Sequence, residues 1–397
     1  MKIYTTKKDV ASARVIVADD MFLTKDMPTA AGSKMLDGYM SLFDAEVLTR
    51  LSDKGYEIGG KADVGEFAFD LIGETSYNGA CVADGKLTTA SAEILKAGEA
   101  MATLNMDVNG SVRRAAAQNG LVSVKPTYGT VSRFGTVPVA CSGETVSVMS
   151  CTADACREIL EAIAGHDDKD GTSLPTATCE KVKSAAAIKK VALLSSMVKS
   201  ADAEVAAKLD AVKAALEANG ISVSEIDDEV IGAARVAWNI LMSAELCNNV
   251  SRYDGVKYGY RAENFSGLDE LYTNSRTEAF GELLKSTILF GSETLSTDNY
   301  MKVYDKSLRT RRVIVEAFEK IFESFDAVLM PACSKLAYTE ADVKSDKYLV
   351  FEENLYTAPA SITGLPAVVA GGAQIVGRAF SELALLDLAK ICEKEGK

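Results

Sequence analysis

The chain has 397 residues, of which 48% are hydrophobic and 25% charged, and its formal net charge is −13. This length and composition are typical of a soluble globular protein with a sizeable core. The acidic balance argues against direct nucleic-acid binding, which needs clustered lysine and arginine. We find neither an apolar run long enough to span a bilayer nor a signal peptide, so we expect a cytoplasmic protein without a membrane contact.

Metal and cofactor chemistry has little support in the sequence. There is one histidine, His166, and none of the eight cysteines forms a Cys-x-x-Cys pair. His166 lies in a polar loop sequence and is the only imidazole that a Ser-His mechanism could use. The glycine-rich turns lack the lysine-serine ending of a phosphate-binding loop and the Rossmann fingerprint. We therefore predict no metal, nucleotide or organic cofactor.

The first hundred residues show alternating strand and helix patterns. Residues 14–18 form a short buried-type strand that runs into two aspartates. Residues 36–54 have helical periodicity, with apolar side chains on one broad face. Residues 70–89 are polar and contain glycine, which predicts a loop. A helix over residues 91–104 then leads into the next turn.

That turn carries the most informative serine of the chain. Asn109 and Gly110 predict a tight turn, because both tolerate positive φ. Ser111 opens a short helix through Gln118, and a strand follows at residues 121–124. Acyl-transfer enzymes place nucleophiles at such helix N-termini, where N–H groups can stabilise an oxyanion. A serine is also a common helix N-cap, so the segment alone leaves both roles open for Ser111.

The rest of the chain continues the alternation. The predicted helices cover residues 153–164, 202–218, most of 231–325 and 381–393, and residues 166–183 form a surface connection. The predicted strands lie at 190–195, 221–226 and 326–331, with a further strand through Val369. Strand-helix-strand order of this kind indicates an α/β fold with a parallel or mixed sheet.

Several long stretches resemble the amidase-signature hydrolases, and among them the glutamine-hydrolysing subunits of tRNA-dependent amidotransferases. The matching stretches lie at residues 125–135, 160–170, 252–261, 364–367 and 374–377. The resemblance implies a single domain over residues 1–397, built on a large twisted mixed β-sheet covered by helices on both faces. It also implies that most of the family's N-terminal helical segment is missing, because the first strand comes so early.

The family cleaves amides with a Ser-cis-Ser-Lys triad, in which a buried lysine is the base and the second serine relays the proton. The resemblance places the nucleophile at Ser111. Ala18 stands where the family has its lysine. Leu87 stands at the second serine, or Thr88 if the alignment shifts by one residue.

The resemblance also implies a set of substrate-binding residues. Asn109 and Gly110 form the oxyanion turn, where the family has two glycines. Arg311 matches the arginine that grips the substrate carboxylate, and Tyr258 lies in another matching stretch that we assign to the substrate site. Asn354 replaces the aspartate that pairs with the substrate ammonium, which removes a negative charge.

Two of the three catalytic groups are therefore gone, and losses within an interdependent triad remove most of its effect. We predict a catalytically inactive pseudo-amidase with a binding or scaffolding role. Its partners would be a small amide or amino-acid ligand and amidotransferase-like subunits. The alternative is an active amidase or glutaminase in which Ser111 has a rebuilt base, such as Lys61 or Lys86. That enzyme would release ammonia for transamidation of mischarged tRNA with partner subunits.

Overall fold

The computed structural model describes residues 2–183 and 186–395. Its strands are β1 (Tyr4–Lys7), β2 (Val15–Asp19), β3 (Glu57–Ala62), β4 (Val82–Ala83), β5 (Lys86–Leu87), β6 (Ala102–Asp107), β7 (Val122–Lys125), β8 (Thr145–Ser150), β9 (Lys190–Leu194), β10 (Ser222–Ile226), β11 (Ala327–Pro331), β12 (Ala367–Ala370) and β13 (Ala373–Gly377).

The α-helices are α1 (Glu46–Asp53), α2 (Ala90–Lys96), α3 (Ser111–Asn119), α4 (Ala153–Ile163), α5 (Thr176–Cys179), α6 (Ser195–Lys199), α7 (Ala203–Ala218), α8 (Glu229–Gly232), α9 (Ala234–Val250), α10 (Leu268–Ala279), α11 (Glu282–Thr294), α12 (Asp305–Phe322), α13 (Glu340–Ser345), α14 (Leu349–Thr363) and α15 (Glu382–Cys392). Short 3₁₀ turns lie at Lys34–Leu36, Glu66–Ala68 and Glu180–Lys183, and a π-helical turn lies at Tyr300–Tyr304.

One large mixed sheet organises the part of the chain described. Its strand order is β1-β3-β2-β6-β8-β7-β12-β13-β11-β9-β10, and β4 pairs with β5 in a separate hairpin. Strands β3, β2 and β6 are parallel, as are β11, β9 and β10. The pairs from β6 to β11 between them are antiparallel. The predicted α/β fold with a large mixed sheet is confirmed.

Strand β2 shows why helices cover both faces of this sheet. All five of its residues are buried. Side chains alternate between the two faces of a strand, so Val15 and Val17 contact a cluster with Ile94 of α2. Ile16 and Ala18 contact the main core on the other side. The sequence of a strand that is buried on both faces is a continuous apolar run, and residues 14–18 show this pattern.

The predicted helix over residues 91–104 is only half correct. Helix α2 ends at Lys96, and Gly98 has a φ of +69° that stops it. Strand β6 then begins at Ala102 and is buried along its whole length between β2 and β8. Leu104, which fits a helix face by spacing, instead points into the core from a strand. A strand, not a helix, therefore leads into the Ser111 turn.

The predicted helix over residues 36–54 is also shorter than its periodicity suggests. Only Glu46–Asp53 is α-helical. Leu42 is 90% exposed, and the ring of Phe43 stacks on Phe134 at a centroid distance of 5.0 Å. Gly38, with a φ of +74°, lies in the loop that replaces the first half of the predicted helix.

One helical stretch, Glu229–Val250, is long and apolar enough to cross a membrane by length and composition, contrary to the expectation from the sequence. Half of its most apolar window is buried inside the protein. Helix α9, which forms most of this stretch, packs against α11, α12 and α14. The core helix of a soluble protein meets the same criterion, so the stretch is weak support for a membrane contact.

Candidate functional site

The Ser111 segment is a strand, a glycine turn and a helix. Strand β6 ends at Asp107, Gly110 has a φ of +83°, and α3 begins at Ser111. A Cβ at Gly110 would overlap the side chain of Thr357 on α14, so the turn requires glycine for both its backbone angle and its packing. Gly110 occupies the N-cap position, and Ser111 is the first helical residue rather than the cap.

A buried ion pair fixes the two ends of this segment to each other. Arg113 Nε lies 2.8 Å from Asp107 Oδ2, and both side chains are fully buried. Arg113 also donates to the Thr357 carbonyl, Gln374 Oε1 and Ser361 Oγ, each at 2.8 Å. Burial acts to raise the pKa of Asp107, but the adjacent Arg113 lowers it below its usual value.

The carbonyl side of the turn is held by two further donors. Arg114 Nη2 donates to the Asn109 carbonyl at 2.9 Å, and Thr357 Oγ1 donates to the same oxygen at 3.1 Å. Arg114 Nε donates to the Leu71 carbonyl at 2.9 Å, which joins the turn to the loop after β3. The turn is therefore fixed by α14 on one side and by this loop on the other.

Ser111 lines a small cavity. The serine is 7% exposed, and the cavity it lines measures about 30 Å³. That volume holds one or two water molecules. Small-molecule sites usually measure about 300–1,000 Å³, so this cavity is too small for an amide substrate. Three other residues that line it, Asp19, Ser91 and Asn105, were not predicted from the sequence.

These three side chains are engaged within the fold. Asp19 Oδ2 accepts from the Met106 N–H at 2.8 Å and so ties the end of β2 to β6. Burial raises the pKa of the Asp19 carboxyl to about 7. Ser91 Oγ accepts from Asn105 Nδ2 at 2.7 Å. The position of Asp19, next to Ala18 at the end of a buried strand, is the only sequence signal that could have identified it.

The position expected for the catalytic lysine lies beside a different lysine. Ala18 pairs in register with Lys61 on β3, and both side chains are completely buried. Lys61 Nζ donates to the Pro28 carbonyl at 2.9 Å and to Thr29 Oγ1, and it lies 3.5 Å from Asp20 Oδ1. Burial lowers the pKa of Lys61 to about 8, against the opposing effect of Asp20.

Neither lysine named as a substitute base lines the cavity of Ser111. The ammonium of Lys61 is engaged by the loop that follows β2. Lys86 lies on the short hairpin strand β5 and its side chain is exposed. Both positions agree better with structural and surface roles than with proton abstraction from Ser111.

The position expected for the second serine is apolar. Leu87 is 3% exposed and its side chain belongs to the main core. The hydroxyl of Thr88 donates to Glu93 Oε1 at 3.0 Å and accepts from Asn119 Nδ2 at 3.3 Å, which directs it toward α2 and the end of α3. All peptide bonds in the described ranges are trans, including those of this segment.

Asn354 meets the turn directly, as part of a chain of three asparagines. One terminal atom of the Asn354 amide lies 2.5 Å from Asn239 Oδ1. The other terminal atom of the same amide lies 3.0 Å from Asn109 Oδ1. Asn109 Nδ2 donates to the Phe69 carbonyl at 2.9 Å. Asn354 is completely buried, so the three amides join α14 and α9 to the turn inside the protein.

Trp238 also contacts the turn. Its indole Nε1 donates to Asn109 Oδ1 at 3.1 Å, and the side chain is completely buried. The ring lies against Gly143, where any Cβ would overlap it. Arg311 donates to the carbonyl of Ser142, the residue before Gly143, at 3.2 Å. The Trp238 ring therefore lies between the segment that Arg311 contacts and the Ser111 turn.

The remaining predicted residues lie elsewhere. Tyr258 is 58% exposed, in the loop between α9 and α10. His166 Nδ1 lies 2.9 Å from the Leu174 carbonyl, and Nε2 lies 2.9 Å from Asp168 Oδ1, within its own loop. Across residues 2–183 and 186–395, no three His, Cys, Asp or Glu side chains are grouped to hold a metal ion.

Glu66 anchors the loop that borders the site and carries a perturbed carboxyl group. Its Oε1 accepts from Ser33 Oγ at 2.7 Å, and its Oε2 accepts from the Gly281 N–H at 2.9 Å. Burial raises the pKa of Glu66 from 4.5 to about 7. Between these values the folded protein keeps a proton that the unfolded chain releases. The resulting stabilisation is complete below pH 4.5 and is lost as the pH rises through 7.

We therefore expect the free energy of unfolding to fall between about pH 4.5 and pH 7, with Glu66 contributing up to about 3 kcal/mol of the change. Glu66→Gln mimics the protonated group and should flatten this slope in urea unfolding at a series of pH values. The exposed Glu204 changed to glutamine is the matched control and should keep the wild-type slope. An equal slope in the Glu66→Gln variant would contradict the assignment.

Comparisons with known proteins identify the family of the chain. The family model described as Amidase matches residues 15–386. The chain is 34% identical to the A subunit of the Coxiella burnetii glutamyl-tRNA(Gln) amidotransferase, over 96% of this chain and 83% of that protein. The corresponding protein of Lachnoclostridium phytofermentans is also 34% identical, over 96% of this chain and 82% of that one.

Solved structures show the same fold. The crystal structure of the A subunit of the Thermotoga maritima glutamyl-tRNA(Gln) amidotransferase superimposes with a TM-score of 0.81 at 24% identity, covering 99% of this chain and 87% of that chain. The Kluyveromyces lactis urea amidolyase also gives a TM-score of 0.81, at 22% identity, covering 96% of this chain and 23% of that chain.

Proposed function

Because this chain belongs to the amidase family, we propose that it is a non-catalytic member with a binding or scaffolding role. The observation that carries this proposal is the environment of Ser111. The nucleophile position is retained on its glycine turn, but the residues at the lysine and second-serine positions are the buried, apolar Ala18 and Leu87. A serine hydroxyl is a weak nucleophile at neutral pH unless a base removes its proton.

The packing around the turn supports the same conclusion. An acyl-transfer site must admit an amide carbonyl to within about 3 Å of both the nucleophile and the oxyanion donors. Here Trp238 and Asn354 both contact Asn109 Oδ1, and the cavity of Ser111 measures only about 30 Å³. An amide substrate is larger than the cavity that Ser111 lines, so neighbouring side chains would have to move before it reached the serine.

The alternative is an active amidase or glutaminase with a rebuilt base at Ser111. Asp19 is the group in the cavity that favours it, because its pKa of about 7 suits a general base. Both oxygens of Asp19 already accept backbone N–H groups, from Met21 and Met106. We therefore assign Asp19 to holding the strand ends together.

The partner proposal rests on the relatives. Two of them are named as subunits of an amidotransferase. A chain that has kept their fold but lost the catalytic residues could still bind amidotransferase-like subunits. We propose that this chain acts in the cytoplasm and contacts such a partner through its surface. A small amide or amino acid remains the proposed ligand class for the fold.

Ammonia release tests this proposal. The purified chain is incubated with L-glutamine and with a simple aliphatic amide, alone and with amidotransferase partner subunits, beside its Ser111→Ala variant. We expect ammonia release by the two proteins to be equal and at the level of the buffer, because Ser111 has no base. Release that depends on Ser111 without partners would establish the rebuilt enzyme. Release that appears only with partner subunits would establish a working amidotransferase component.

A further inference from the structure

A second cavity, much larger than that of Ser111, opens on the surface between α9, α11 and the start of α14. It measures about 450 Å³, which is within the usual range for small-molecule sites. Its walls are mostly apolar and include Val236, Ile240, Phe290 and Phe351. Val236 is 55% exposed and Phe290 is 47% exposed. We refer to this cavity as the α9–α11 groove.

Two opposite charges lie among the residues that line the groove. Arg235 and Glu352 form an ion pair in which the side chains are 34% and 65% exposed. A pair this exposed contributes about 0–1 kcal/mol, so either partner can exchange it for a ligand group at little cost. The planar guanidinium of Arg235 suits bidentate recognition of a carboxylate. Glu352 suits recognition of an ammonium group.

We propose that the α9–α11 groove binds a free apolar α-amino acid. The ligand carboxylate contacts Arg235, the ammonium contacts Glu352, and the apolar side chain lies between Phe290 and Phe351. The zwitterion supplies one group of each sign, so both Arg235 and Glu352 keep a partner of opposite charge when their own pair opens. Burial of an aromatic or branched side chain supplies the main free-energy gain.

This site is distinct from the serine turn but is connected to it. Asn239 lines the groove, and its Oδ1 lies 2.5 Å from the amide of Asn354, whose other terminal atom lies 3.0 Å from Asn109 Oδ1. Asn239 Nδ2 also donates to the Phe351 carbonyl at 3.0 Å. Trp238, the neighbour of Asn239, is the only tryptophan of the chain. Its fluorescence therefore reports on the residues directly beneath the groove.

Binding of L-phenylalanine to the full chain tests the proposal by isothermal titration calorimetry, with Trp238 fluorescence as a second readout. Phenethylamine lacks the carboxylate, and 3-phenylpropionate lacks the ammonium. L-glutamine lacks the apolar side chain. We expect saturable binding of L-phenylalanine and at least tenfold weaker binding of each of these three compounds.

Three variants locate the site. Arg235→Gln, Glu352→Gln and Phe290→Ala should each weaken L-phenylalanine binding at least tenfold. Leu42→Ala removes an apolar side chain that is 90% exposed elsewhere and should bind like the wild type. Thermal unfolding confirms that each variant is folded.

Absence of binding at millimolar L-phenylalanine would overturn the proposal, as would equal binding of 3-phenylpropionate or unchanged affinity in Arg235→Gln. None of these results depends on Ser111, so the proposal and the non-catalytic assignment can fail separately.

Discussion

Replacing Trp238 by alanine is expected to destabilise the protein by about 3–5 kcal/mol, because the change leaves a large cavity in a completely buried site. It also removes the donor to Asn109 Oδ1. The free energy of unfolding of a typical domain is about 5–15 kcal/mol, so this single change removes a large part of the stability. Urea unfolding followed by circular dichroism measures the loss.

The contact between Trp238 and Gly143 allows a sharper test. Gly143→Ala forces a Cβ into the indole ring and should cost about 1–3 kcal/mol or more in the wild type. In a Trp238→Ala background the added methyl group has space on that side, and the cost of Gly143→Ala should largely disappear. Equal costs of Gly143→Ala in the two backgrounds would contradict the assigned contact.

Trp238→Phe is the matched control for shape. Phenylalanine keeps a ring in the site but lacks the N–H group, so Asn109 Oδ1 loses a buried donor. We expect a loss of about 1–3 kcal/mol, smaller than that of Trp238→Ala. A loss as large as that of the alanine variant would mean that the hydrogen bond, and not the volume of the ring, is the main contribution of Trp238.

Breaking the Asp107–Arg113 pair is expected to have a comparable effect. Asp107→Asn leaves a buried guanidinium without its counter-charge and should cost about 3–5 kcal/mol. The pair Asp154–Lys390 also joins a carboxylate to a cation, at 2.7 Å, but its side chains are 65% and 58% exposed. Asp154→Asn, the same chemical change at the surface, should cost less than about 1 kcal/mol.

The Asp107–Arg113 pair also predicts a direction of pH dependence. The pKa of Asp107 is lower in the folded protein than in the unfolded chain, so its stabilisation is present above the unfolded value and is lost as the pH falls through the folded value. Chemical unfolding between about pH 5 and pH 2 should therefore show a smaller acid-dependent loss in Asp107→Asn than in the wild type. An unchanged acid slope would contradict the assignment.

Structural elements that depend on local residue patterns were predicted well from the sequence. The turn at Asn109 and Gly110 and the helix after it follow from residue conformational preferences and periodicity. The strand predicted at residues 121–124 is found one residue later, at Val122–Lys125. The helix predicted over residues 91–104 failed because Leu104 fits either a helical face or a buried strand. Periodicity alone cannot separate the two in short apolar runs.

The environment of the site could not be predicted in the same way. The contact between Trp238 and Gly143 joins residues far apart in the chain, and neither residue type signals the other. The family resemblance predicted substrate-binding roles for Arg311 and Asn354, but only the structure reveals that Trp238 lies between the Arg311 contact and the turn. Exclusion of a ligand from a site depends on such long-range packing.

Intact-mass measurement after treatment with a serine-reactive fluorophosphonate tests the non-catalytic assignment most directly. The chain is incubated with excess reagent beside its Ser111→Ala variant and an active serine hydrolase as a positive control. We expect no added mass on the wild-type chain while the control hydrolase is fully labelled. Ser111 is 7% exposed, and the residues predicted to stand at the lysine and second-serine positions are Ala18 and Leu87. Stoichiometric addition of one phosphonyl group that is absent in Ser111→Ala would show an activated nucleophile and contradict the assignment.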